Sequence, residues 1–200
     1  MRVQVPPPVP LGREKKRKLA YLIGIALGDG NLSLPNGRAT RLRISCDAKY
    51  LKLADEISDT IRFLLPKNRV GRVKKEGRCF DISVYSNHLN QWMPWRVGYG
   101  SKAIQKARVP SWIRDRNEYT QHCLRGLIQT DGCIYFDRGY LMVSFTNNCK
   151  ELAEDARDMM LQLGFKPSFS AVRVRTGTKY TARIARDTKR FIDILKLYKA

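Results

Sequence analysis

Two aspartates stand in matching surroundings, Asp29 in Leu22-Ile-Gly-Ile-Ala-Leu-Gly-Asp-Gly30 and Asp131 in Leu124-Arg-Gly-Leu-Ile-Gln-Thr-Asp-Gly132. Each ends an apolar helical run, precedes a glycine, and lies five positions after another glycine, Gly24 or Gly126. Glycines at 24, 28 and 126 let two helix backbones come very close. Helices packed side by side would then bring both carboxylates out together at their ends. Two close carboxylates repel unless a divalent cation lies between them, and hard oxygen donors without soft ones suit Mg²⁺. Such a cation stabilises a pentacovalent phosphorus transition state and lowers the pKa of an attacking water, so the chemistry open to the pair is metal-assisted phosphodiester hydrolysis. A single Asp-Gly reads as an ordinary turn. The duplication at matching positions favours the metal site.

The elements that must position these acids repeat as well. After Asp29 a hairpin turns at Leu34-Pro-Asn-Gly37 and returns along Arg41-Leu-Arg-Ile-Ser45. A helix is expected from about Lys49 to Leu65, with Leu53, Ile57, Ile61 and Leu64 on one face and Pro66 closing it. Strands 70–75 and 78–85 turn at Glu76-Gly77, and a short helix follows from about Asn87 to Trp95. The same order returns after Asp131: strand 140–146, a helix from Cys149 to Leu163 stopped by Gly164, strands 171–175 and 180–185, and a last helix from Lys189 to Tyr198. The acids stand 102 positions apart (131 − 29), and Leu53 and Leu152 of the following helices 99 (152 − 53). This is an internal repeat with a shorter first hairpin in its second copy. Each copy reads as an α+β unit with a four-stranded antiparallel sheet. The expected divisions are a Pro-rich, basic arm at 1–18, a first half at 19–96, a linker at 97–116 and a second half at 117–200.

Charge indicates the partner. The 38 Lys+Arg exceed the 18 Asp+Glu to give a net charge of +20, which favours a polyanion. A ribosomal or chromatin-like protein is the plain alternative. No apolar run reaches about 18 residues and no basic amphipathic or lipidation signal is present, so a membrane role is not expected. Five cysteines in no paired spacing point to a reducing, intracellular compartment. With no Cys-x-x-Cys, and His88 as the one histidine besides His122, they do not read as a zinc site.

Strand residues alternate between basic and apolar: Arg41 with Arg43, Arg72 with Lys74, and Arg173 with Arg175, while Arg183 belongs to the neighbouring strand. Alternation gives one face for helices and one for a DNA groove, where a two-stranded ribbon fits and arginine can contact guanine. Trp92, Trp95 and Trp112 read as core rather than base-stacking platforms.

The paired motifs and the repeated order of elements, over almost the whole chain, resemble the LAGLIDADG homing endonucleases in their single-chain, two-motif form. The matching residues are Leu22, Gly24, Asp29 and Gly30, and Leu124, Gly126, Leu127, Ile128, Asp131 and Gly132. The resemblance implies two pseudosymmetric αββαββα halves packed through their motif helices. It implies that Asp29 and Asp131 bind metal in two overlapping active sites, one per DNA strand, with Gly28 and Thr130 in the same metal set. Leu27 and Gln129 replace the motif's inner acid and point to helix-interface packing. A water-positioning polar residue is implied at the strand end before the next helix. Asn147 or Asn148 fits it in the second half and Cys46 or Asp47 in the first, with Asn147 and Asp47 chosen; both also read as helix N-caps. An active-site base is implied within Gly100-Ser-Lys-Ala-Ile-Gln-Lys-Ala-Arg-Val-Pro110, which selects Lys102 and then Lys106, against linker lysines that merely contact phosphate or solvent.

The activity so implied is a monomeric, site-specific DNA endonuclease making a Mg²⁺-dependent double-strand break in a long asymmetric duplex and promoting intron mobility. Mn²⁺ would substitute, and Ca²⁺ would support binding without cleavage. Three alternatives stay open. A maturase would bind intron RNA and survive loss of either acid. A silent DNA-binding regulator would usually lose one acid, and an RNA-packing protein would need neither.

Overall fold

The computed structural model describes residues 11–35, 37–74 and 77–198. The proline-rich start of the expected arm, Asn36 of the first hairpin turn, and Lys75 and Glu76 of the second lie outside the described residues.

The chain begins with a long helix, α1 (Arg13–Asp29), and a hairpin of β1 (Gly30–Ser33) and β2 (Arg41–Asp47). Helix α2 (Leu51–Leu64), strands β3 (Gly71–Lys74) and β4 (Cys79–Tyr85) and the short α3 (Leu89–Trp92) complete the first half. A connecting segment holds α4 (Ser111–Arg114). The second half repeats the order with α5 (Asn117–Asp131), β5 (Gly132–Asp137), β6 (Tyr140–Asn147), α6 (Lys150–Gln162), β7 (Ser168–Val174), β8 (Gly177–Ile184) and α7 (Thr188–Leu195). Both sheets are antiparallel, ordered β1-β2-β4-β3 and β5-β6-β8-β7. The fold is thus α+β with two four-stranded sheets. Leu42, Ile44, Ile82 and Val84 of the first sheet form the core with Leu53, Ile57 and Ile61 of α2. Val143, Phe145, Ala182 and Ile184 do the same with Leu152, Ala156 and Met160 of α6. All three tryptophans are buried, Trp112 edge-on to Tyr119.

Helix α1 begins at Arg13, so the run 13–18 is helical instead of part of an arm. Its arginines reach α5: Glu118 pairs with Arg13 at 2.7 Å and Arg17 at 2.9 Å. From Leu19 to Leu27 every residue of α1 is buried, the signature of a helix enclosed on all sides. What encloses it on one side is α5, and the contact is backbone to backbone. A Cβ on Gly24 would overlap the Cys123 carbonyl, and one on Gly126 would lie 2.6 Å from the Tyr21 oxygen and 2.7 Å from the Ile25 nitrogen. The missing side chain of Gly28 leaves room for the Thr130 hydroxyl, which itself donates to the Gly126 and Leu127 carbonyls at 3.0 Å.

The two inner motif positions also serve this seam. Leu27 is buried, and Gln129 accepts a hydrogen bond from the Tyr21 hydroxyl of α1 at 2.8 Å. Beside it Arg125 of α5 pairs with Glu56 of α2 at 2.7 Å, its guanidinium lying against the Tyr21 and Tyr198 rings.

Overpacking ordinarily costs about 1–3 kcal/mol, and a backbone neighbour can yield less than a side chain. Gly126→Ala should therefore destabilise the protein by about 3 kcal/mol or more, read as a lowered urea midpoint, whereas Gly139→Ala in the exposed β5–β6 turn should lose only the smaller cost of positive φ, at a position open on all sides.

Candidate functional site

Each motif acid is the last residue of its helix, and the next glycine turns directly into a strand. The Gly30 N–H still bonds the Ala26 carbonyl and the Gly132 N–H the Ile128 carbonyl, with both glycines already extended. A Cβ at either would run into the preceding helical turn. Asp29 and Asp131 are therefore fixed at helix C-termini, where the helix dipole disfavours negative charge. The site gathers carboxylates and carbonyl dipoles of one sign and calls for a cation.

Lys102 supplies one from the connecting segment. Its ammonium donates to the carbonyls of Ala26 at 3.1 Å, Leu27 at 2.6 Å and Gly28 at 2.5 Å, and lies over the Trp95 ring. Burial lowers its pKa to about 8 against the opposing pull of Asp131 and Asp29. Lys102 thus sits in the field of both motif acids and caps the end of α1. Lys106 is exposed, in a left-handed turn. The segment itself is pinned by buried Asp155 of α6, which accepts from the Val109 N–H at 2.8 Å, Arg108 at 2.9 Å and Arg114 at 2.6 Å.

Asn147 links the second motif acid to the start of α6. Its Nδ2 donates to Asp131 Oδ2 at 2.7 Å while its Oδ1 accepts the Cys149 N–H at 2.8 Å at the start of α6. With Gly28, Asp131, Thr146, Asn148 and Lys179 it lines an open cleft of about 370 Å³. Lys179 escaped sequence reasoning, although its period-two spacing from Arg183 on β8 was the signal.

In the first half the pairings Gly30↔Ile44 and Gly132↔Phe145 make Cys46, not Asp47, the counterpart of Asn147. The Cys46 thiol is pushed up to about 12 by burial first and then by the Asp29 charge, so it is a neutral group near that acid. Asp47 instead accepts the Lys49 N–H at 3.0 Å, as an N-terminal turn for α2.

Among the described residues no group of three or more His, Cys, Asp or Glu could hold a metal. The fit is to a different kind of site: Asp131 and the Asn147 amide line one cleft with Gly28, and both motif acids act on the Lys102 ammonium beside the end of α1. That donor set suits a hard cation such as Mg²⁺, which keeps several waters and takes one or two carboxylates. The Gly28 carbonyl, which the family resemblance places in the metal set, is engaged by Lys102, whereas Thr130 stands beside it on α5.

The basic strand residues separate into two groups. Arg41 and Arg43 face away from the helices, Arg41 bonding Ser33 at 3.1 Å and Arg43 lying 3.5 Å from Asp81. Arg183, paired with Ser144 and Ser168, shares the corresponding face of the second sheet. Arg72 does not: it pairs with Ile82 of the core and binds Asp55 at 2.6 Å and Ser58 at 3.0 Å on α2. Lys74 shares its parity. Arg173 follows Phe169, over which Arg157 of α6 lies, and so belongs to the helix-side set, while Arg175 falls in the β7–β8 turn. Arg72, Lys74 and Arg173 are corrected from the expected DNA face, because the register of β3 and β7 puts them on the helix side; Arg175 belongs to neither sheet face.

Residues 118–195 match the family model described as a LAGLIDADG-like domain. Comparison with the curated proteins gives no match. Among solved structures, mesophilic variants of the homing endonuclease I-DmoI superpose with a TM-score of 0.69 at 19% identity, over 93% of this chain and 99% of theirs. I-DmoI in complex with DNA and Mn gives 0.67 at 19%, over 92% and 99%. The N-terminal LAGLIDADG domain of DUF199/WhiA gives 0.61 at 14%, over 96% and 88%. At such identities the likeness is one of fold. Residues 118–195 are therefore similar to the LAGLIDADG-like domain, and the two halves together have the LAGLIDADG fold of these structures.

Proposed function

We propose that this protein is a divalent-metal-dependent DNA endonuclease that seats a long duplex on its two sheets and cuts both strands beneath the feet of α1 and α5. The observation that carries this reading is the pair of motif acids at the ends of two helices locked backbone to backbone. Asp29 and Asp131 would hold the cation, Mg²⁺ by the hardness of the donors. When bound, it would supply a water of lowered pKa and stabilise charge on phosphorus. The chain's own residues do the remainder. Asn147 orients Asp131, Lys102 places positive charge beside both acids, and Arg41, Arg43, Lys179 and Arg183 offer phosphate and base contacts on the sheet faces. The net charge of +20 supports a polyanionic partner. The family resemblance gives such a break its use, insertion of the encoding intron into an allele that lacks it.

Asp29→Asn and Asp131→Asn should each abolish linearisation of a supercoiled plasmid bearing the selected target in Mg²⁺, while duplex affinity in Ca²⁺ changes less than about threefold, since the basic faces are untouched. Normal cutting by either variant would refute the metal assignment. Tight binding with no cutting by the wild type would move the reading to a regulator or maturase.

Lys102→Met should slow cutting roughly a hundredfold, the usual scale for one preorganised charge-stabilising donor. Its folded-state pKa of about 8 lies below the ordinary 10.5, so between these values the unfolded chain holds a proton that the folded protein has released. Stability from this group therefore rises with pH over that window. The stability of wild type relative to Lys102→Met, from urea unfolding, should increase from pH 8 to pH 10.

A further inference from the structure

The two halves present different chemistry at the same place. In the first hairpin the residues facing away from the helices are Asn31 opposite Arg43 and Ser33 opposite Arg41. In the second they are Cys133 opposite Ser144 and Tyr135 opposite Met142. Both hairpins start at the glycine after the motif acid, so the pairs correspond one to one. Arg43 is replaced by Ser144, Arg41 by Met142 and Ser33 by Tyr135. On the same face Tyr140 is 69% exposed, and Val172 on β7 57%. Arg183 and Lys179 keep this face basic, which makes a polyanion its fitting occupant, but Met142 and Tyr135 stand where the first half has Arg41 and Ser33.

We infer that the two half-sites of the DNA target are read by different chemistry: the β5–β6 hairpin contacts thymine methyl groups through Tyr135, Met142 and Tyr140, whereas the β1–β2 hairpin reads guanine acceptors through Arg41 and Arg43. This rests on the sheets being the duplex-binding faces. In the major groove thymine is the base that offers a methyl group, and guanine offers two acceptors that match a guanidinium. A methionine and a tyrosine with half-buried stems present apolar surface that gains from covering a methyl and lacks the paired donors that match a guanine edge. Tyr135 and Met142 are directly opposed, so they act on adjacent base steps as one patch.

The test is base-analogue substitution in the duplex that the full-length protein selects from a randomised pool in Ca²⁺. Replacing thymine by deoxyuridine removes only the methyl, worth about fourfold in affinity per buried group. Replacing guanine by 7-deazaguanine removes the N7 acceptor, on the order of tenfold per bidentate arginine. The expected result is a deoxyuridine penalty confined to one half-site and a 7-deazaguanine penalty confined to the other. The first should vanish in Tyr135→Ser/Tyr140→Ser/Met142→Ser and the second in Arg41→Met/Arg43→Met. Deoxyuridine penalties equal in both halves, absent from both, or persisting in the serine variant would overturn the inference while leaving duplex recognition intact. Failure to enrich any duplex would overturn duplex recognition itself, and this inference with it. The wild-type arms do not depend on any variant folding.

Discussion

The structure depends on one contact, the passage of the α1 backbone against the α5 backbone at Gly24 and Gly126. No side chain separates the helices there, so two elements 102 positions apart (131 − 29) become one rigid pair. The rest hangs from it. Helix α1 can be buried on all sides from Leu19 to Leu27 because α5 covers its bare backbone, and each sheet can be reached directly from a helix end because Gly30 and Gly132 carry no side chain. The polar seam of Tyr21, Gln129, Arg125, Glu56 and Tyr198 runs alongside and joins α1, α2, α5 and the chain after α7. It occupies positions where an inner acid would have buried a charge.

That same contact creates an electrostatic problem and makes it useful. Two carboxylates stand at two helix C-termini, both in the field of Lys102, an arrangement that costs stability unless cations offset it. Lys102 offsets part by capping three carbonyls of α1, and in doing so its own pKa falls because it is drawn out of water. A hard cation would offset the remainder. The pseudosymmetry is one of backbone, not of side chains: Asn147 answers Asp131 where Cys46 stands near Asp29, and the connecting segment serves α1 through Lys102. The two ends of the cleft are chemically distinct.

Much of this was legible in the chain. The duplicated Gly-x-x-x-x-Asp-Gly spacing gave the helix pair, the acids and the repeat, and heptad-like apolar spacing gave α2 and α6 to within two or three residues. What escaped lies in register and long-range contact. The alternation of Arg72 with Lys74 is real, yet which face the set occupies depends on pairing to β4, and a one-residue shift reverses it. The same shift separates Cys46 from Asp47. The capping role of Lys102 spans 74 to 76 positions of sequence, and no local pattern announces it. Helix α1 runs through its basic first turns because Glu118, far along the chain, pairs with Arg13 and Arg17.

In the proposed function α1 and α5 bring Asp29 and Asp131 together as a site for a divalent cation. The direct measurement is an anomalous-difference map from crystals of the protein with its selected duplex and Mn²⁺. The expected result is a peak between the two carboxylates, beside the phosphates of the bound DNA. A complex with ordered DNA over both sheets and no metal peak at either acid would contradict it.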